Sequence, residues 1–213
     1  MALSNCLTMS IKTTDKRDEI LDAAEILFAE HGFEAVSVRE ISKAADINIA
    51  MISYYFGSKE KLYEEVFNRK LISLNQLQMH LNKLPTYHQQ LITCLDILLD
   101  KLIERRNFQN IIFREITVNQ RTKMSDKIAS ALHQNFQFIA DIIQKGIKNN
   151  EFKKVDVNLT VMSVFGILRM YVTSGNMACR IMNLHQSEDI FSTTNKKRLK
   201  THLHEMLTNH LIN

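Results

Sequence analysis

Residues Ser37 to Leu62 read SVREISKAADINIAMISYYFGSKEKL, and the reading of this stretch decides the fold. Ser37 and Glu40 have capping-box spacing, in which the serine oxygen and the carboxylate each satisfy a backbone N–H, so a helix is expected to begin there. Val38, Ile41, Ala44 and Ala45 recur on one face of that helix, the face expected to be buried. The pattern breaks at Asp46-Ile47-Asn48, where aspartate tolerates a left-handed backbone and Asn48 can cap a second helix. Along Ile49 to Phe56, a rotation of about 100° per residue groups Ile49, Ile52 and Phe56 as a core stripe. Ala50, Met51 and Tyr54 then point the opposite way, with Ser53 and Tyr55 on the flanks and no charge among them. Such an outer face suits close approach to another surface, and the major groove of DNA admits a helix. Gly57 supplies a left-handed stop, and Ser58 caps a further helix whose first turn holds Lys59 beside the positive dipole end. Both can touch a phosphate. The stretch reads as a helix-turn-helix.

Upstream, Thr14 followed by Asp15, Asp18 and Glu19 marks another helix start, and that helix is expected to run to His31. Ile20, Ala24, Leu27 and Phe28 form its apolar stripe, and Gly32-Phe33 is a stop with a following hydrophobic contact. His31 suits the negative end of the dipole and is read as structural. Three helices then share one small core over residues 13–57, preceded by a flexible arm at 1–12 whose end carries Lys12, with Lys16 and Arg17 just beyond, as bases that can follow a DNA backbone.

These residues resemble the TetR-type transcriptional regulators. The resemblance is detailed from Arg17 to Leu71, through AAEILFAEHGFEAVSVREI and the closing run Ser53-Tyr54-Tyr55-Phe56-Gly57-Ser58-Lys59. Two positions depart from the family pattern: Asp46 stands where glycine is usual, and Ser53 stands where the first tyrosine is usual. The second departure removes an aromatic phosphate contact and leaves that role to Tyr54 and Tyr55. The resemblance implies a DNA-binding regulator, a repressor released from a palindromic operator by a small-molecule effector. It implies DNA contacts from Ser37, Arg39, Asn48, Ala50, Met51, Ser53, Tyr54, Tyr55 and Lys59. It also implies a homodimer built from the last two helices and an effector pocket between the helices of the C-terminal part.

Net charge does not make the DNA argument. The whole chain is +4, but residues 10–60 carry six Lys and Arg against ten Asp and Glu, a local balance of −4. Binding must then rest on local placement of Arg39, Lys59 and the helix N-termini, with the acids of the first helix turned away.

The rest of the chain is expected to be helical. One proline and five glycines leave few turns, and 45% hydrophobic residues suffice for a sizeable core. The fold class is all-α, with residues 58–213 forming a helical bundle for effector binding and dimerisation. A long helix is expected from Ser58 to about His80, then a break at Asn82–His88 around Pro85. Further helices are expected over Gln89–Glu104, Phe108–Asn119, Ser125–Lys148, Asn158–Met182 and Thr194–Leu211, with Asp156 as a cap. The last presents Leu199, Leu203, Met206, Leu207 and Leu211 on one face; the one before it offers Leu159, Met162, Phe165, Gly166 and Met170, with Ser163 and Gly166 small enough for close approach. Both can close the chain's own core or pair in a four-helix interface, and the resemblance favours pairing. Met124, Met162, Met170, Met177 and Met182 supply adaptable packing, and Phe113, Arg114, Phe136 and Met170 are the expected pocket residues, with Arg114 and Glu115 as charges inside an apolar helix.

Cys6, Cys94 and Cys179 have no ligand spacing and are read as packed thiols of a reducing cytosol. The first ten residues have no signal-peptide pattern and no apolar run reaches the ~20 residues of a membrane span, so a cytoplasmic location is expected. Two other classes compete. An all-helical enzyme lacks any nucleotide loop, HExxH or paired Glu-x-x-His motif, and His202 and His204, two apart, face different ways, so no catalytic, cofactor or metal residues are expected. A protein–protein adaptor would use the same tyrosine face on another protein.

Overall fold

The computed structural model describes residues 16–71, 74–119, 122–185 and 190–212. The arm at 1–12, Thr14 and Cys6 lie outside the described residues. Eleven α-helices occur among those described: α1 Lys16–His31, α2 Val38–Ala44, α3 Ile49–Phe56, α4 Lys59–Lys70, α5 Gln78–Leu81, α6 Tyr87–Glu104, α7 Arg106–Arg114, α8 Thr122–Lys148, α9 Val157–Thr173, α10 Gly175–Ile181 and α11 Thr193–Leu211. No strand occurs among the described residues. The chain divides into two compact units, Met1–Arg69 and Lys70–Asn213.

The first unit extends past the boundary expected at residue 57, because α4 completes its core. Phe28 stacks on Phe33, and both meet the Tyr63 ring of α4, which in turn packs edge-on against Phe67. Ile20, Leu21, Ile41, Ile52 and Leu62 fill the remainder, each at most 1% exposed. Three helices alone would leave that aromatic cluster uncovered.

The second unit packs α6, α8, α9 and α11 around one large core. Thr86 caps α6 through Gln89 N, and the Glu151 carboxylate accepts from the N–H groups of Tyr87 and His88 at 2.8 and 2.6 Å, satisfying the orphan donors of that helix start. Asp156 caps α9 as expected, accepting from Leu159 N at 3.0 Å. The α8–α9 connection needs a glycine, since a Cβ on Gly146 would stand 2.2 Å from the buried Phe152 ring. Helix α11 is tied to α6 by His204–Asp96 and Lys200–Asp100.

Several expected helices are shorter or broken. The helix expected from Ser58 to His80 ends at Lys70, and a 3-10 turn at Leu74–Leu77 follows. Leu74 is fully buried and its N–H donates to Asn135 Oδ1 of α8, a tertiary contact that a straight helix could not make. The helix expected over Phe108–Asn119 becomes α7 plus a π-helical turn, Glu115–Asn119. Asn158–Met182 is two helices bent by 107° at Ser174. No single described helix is long and apolar enough to cross a membrane. Cys94 and Cys179 are buried, and burial pushes the Cys94 thiol up to about 12.

A candidate nucleic-acid interface and a cavity

The capping box that opens α2 is complete. Ser37 Oγ accepts from Glu40 N at 3.2 Å, and the Glu40 carboxylate accepts from Ser37 N at 2.7 Å and from Ser37 Oγ at 2.8 Å. Those bonds hold the Glu40 carboxyl below its usual range. At the other end of α2, Asp46 takes the left-handed backbone at φ 50°, and Ile47 N reaches back to Ser42 O at 3.0 Å. Aspartate therefore does the work of the family's glycine. Asn48 then caps α3, its Oδ1 accepting from Ala50 N at 2.9 Å.

Helix α3 presents two unlike faces. Ile52 and Phe56 are buried, whereas Tyr54 is 83% exposed, with Ala50 and Ser53 also exposed and Met51 and Tyr55 half-buried. The Tyr54 and Tyr55 rings meet edge-on at 5.2 Å, so each limits the other's rotation. Ile49 departs from the expected core stripe and is 45% exposed. A helical wheel fixes its angle but not its height along the axis, and as the first residue of α3 it lies at the margin of a small core. Ala44, the last residue of α2, is exposed for the same reason.

The bases are arranged less freely than the sequence implies. Lys59 donates to Val36 O at 2.7 Å and lies over the Phe33 ring at 4.2 Å. One of its donors is thereby committed to the fold. Arg39 is exposed on α2, and Ser37, besides capping, is exposed beside it. The acids of α1 are countered from α4: Arg69 lies 2.6 Å from Asp22, 3.4 Å from Asp18 and 3.5 Å from Glu25. Arg17 pairs with Glu65 and sits over the Phe56 ring. Thus three of the ten acids are held by one arginine, and the local balance of −4 is not spread evenly over the surface.

Residues 20–66 match the family model described as bacterial regulatory proteins, tetR family. Residues 20–66 form a TetR-type regulatory domain. The chain is 27% identical over 187 residues to "Probable HTH-type transcriptional regulator YttP" of Bacillus subtilis, covering 86% of this chain and 88% of that protein. It is 27% identical over 150 residues to the HTH-type transcriptional repressor KstR2 of Mycolicibacterium smegmatis, covering 68% and 71%. Among solved structures it resembles HlyIIR, a hemolysin II transcriptional regulator, with a TM-score of 0.65 and 25% identity over 93% of this chain and 97% of that one. The TetR-type domain and the helical C-terminal part expected from the sequence are therefore both present.

In the second unit, a cavity of about 160 Å³ lies against α7, α8 and α9. Phe113 and Phe136, two of the residues expected in an effector pocket, line it. Arg114 and Met170 do not: Arg114 is absent from the lining, and Met170 lines a separate groove among α9, α10 and α11. Of the methionines expected to adapt to a ligand, none lines the cavity. Arg169, which the sequence reading passed over, is the only charged side chain among its described lining residues, and its guanidinium carbon stands 4.0 Å from the Phe113 ring centroid. The signal was weak, a single arginine in an otherwise uncharged helix.

The expected dimer stripes separate as well. Leu199, Leu203, Leu207 and Leu211 of α11 are buried in the chain's own core, so that stripe is not available to a second subunit. Leu159 and Met162 of α9 are 59% and 68% exposed, and a Cβ on Gly166 would meet nothing within 4 Å. Among the described residues no group of histidines, cysteines and carboxylates could hold a metal ion.

Proposed function

We propose that this regulator is a homodimeric, cytoplasmic repressor that sets α3 into the major groove of a palindromic operator and is released when a small molecule fills the α7–α8–α9 cavity. The observation that carries it is the uncharged outer face of α3, with Tyr54 83% exposed over a buried Ile52–Phe56 base. Tyr54, Ala50 and Met51 contact base edges, while Ser53, Tyr55, Arg39, Ser37, Asn48 and Lys59 set position at the rim, through side chains or through the N–H groups of the helix starts. Lys59 acts chiefly by fixing the start of α4, given its bond to Val36 O.

The dimer uses the outer face of α9 together with the outward side of α11. Helix α9 is apolar nearly all round, and a helix of that kind is covered on both sides in a stable protein. Effector binding weakens operator affinity, and a coupling of about 1–3 kcal/mol changes that affinity roughly 5- to 150-fold.

Sequencing the fragments that the purified protein retains from a random DNA pool tests the reading. The expected product is an inverted repeat with half-site centres about 34 Å apart, one turn of B-DNA, or a multiple of it. Recovery of fragments with no shared sequence overturns it.

A further inference from the structure

The α7–α8–α9 cavity combines three features that specify a ligand class. Its walls are apolar, from residues such as Ile112, Leu132, Phe136, Phe165 and Leu168. Its volume of about 160 Å³ matches the roughly 150 Å³ at which an apolar cavity holds a benzene-sized group, so one ring or a short branched chain fills it. The only charge among its described lining residues is Arg169, which is exposed, as is Phe113, so the two mark the cavity mouth.

The stack on Phe113 leaves Arg169 poised for an anion. The ring covers one face of the guanidinium, while the five N–H donors lie in its plane and remain open to a planar acceptor. Among the described residues the guanidinium has no carboxylate partner. The neighbouring π-helical turn Glu115–Asn119 brings Ile116 and Thr117 into the lining, and such turns recur where a helix has been adapted to a ligand.

We infer that the cavity takes a small apolar carboxylate, with its ring or short chain against Phe136, Phe165 and Leu168 and its carboxylate on Arg169. This rests on the reading of the cavity as the effector site. A guanidinium matches a carboxylate in a two-bonded fork, which an amide of the same shape cannot reproduce.

Calorimetric titration of the full chain with 3-phenylpropionate and 3-phenylpropionamide, alike in shape and different in charge, provides the test. The carboxylate should bind about tenfold or more tightly than the amide, as charge-assisted bonds exceed neutral ones. Arg169→Gln should bring the carboxylate to within about twofold of the amide while leaving the amide unchanged, and Arg169→Lys should keep part of the preference. Leu132→Trp, which fills the cavity, should abolish both. Equal binding of the two compounds, with Leu132→Trp still abolishing both, overturns the anion assignment and leaves the effector reading standing. Failure of both compounds to bind, or binding indifferent to Leu132→Trp, overturns the effector reading along with it.

Discussion

Helices α9 and α11 carry apolar stripes of similar period, yet α11 turns its stripe into the chain's own core and α9 leaves one of its two apolar faces in solvent. Leu203 of α11 is 2% exposed and Met162 of α9 is 68% exposed. Period identifies a face; what covers it depends on how many apolar faces a helix has. Helix α11 has a single stripe with charged residues opposite, including Lys197, Arg198 and Glu205, and so it is satisfied by one neighbour. Helix α9 buries Val161, Val164 and Leu168 inward and still shows Leu159, Met162 and Gly166 outward.

The largest effect should come from the buried stripe. Leu203→Ala removes packing from a filled core and should cost about 2–5 kcal/mol of stability, read by chemical denaturation. Substitution on the outer face of α9 should act on association instead. Met162→Asp or Gly166→Leu should leave the helical content and the single-chain core intact and convert the dimer to monomers in sedimentation. If Met162→Asp still sediments as a dimer while Leu203→Ala dissociates without loss of fold, the roles of the two helices are reversed.

A smaller effect is expected at the α2 cap. Ser37→Ala removes the Oγ half of the capping box, leaves the N–H of residue 37 on the Glu40 carboxylate, and should lower stability by about 1 kcal/mol, seen as a lower denaturation midpoint. The Glu40 carboxyl is held low mainly by Ser37 N, so its contribution is present at neutral pH and is lost as pH falls through the depressed value. Between neutral and acid pH, wild type should therefore lose more stability than Glu40→Gln, whose side chain does not titrate. Parallel pH profiles for the two proteins contradict the capping role.

How much was legible follows from how local each signal was. The α2–turn–α3 segment was readable because its determinants lie within a few residues: Ser37 with Glu40, the left-handed Asp46, Asn48 and Gly57. The end of α4 was not readable, since Leu71 and Leu74 continue the helical period and only the Asn135 side chain of α8, sixty-one residues on, draws Leu74 out of it. The bend at Ser174 had a signal in Gly175 that the apolar run around it obscured. Gly146 looked like any helical glycine, and only the Phe152 ring against it shows why a side chain is excluded. Arg169 joins the cavity through Phe113 of another helix, a relation that no spacing encodes. Lys59 was readable as a helix-start cation but not as a side chain bonded to Val36 O.

The reading of DNA sequence falls to the outer face of α3 in the proposed operator complex. The most direct measurement is a salt titration of wild type and Tyr54→Ala on the selected operator and on random DNA. Tyr54 is 83% exposed and supports no core contact, so the variant should fold normally. The expected result is a loss of about 1–3 kcal/mol on the operator, little change on random DNA and an unchanged salt slope, since no cation is removed. Undiminished discrimination between operator and random DNA by Tyr54→Ala would contradict that assignment.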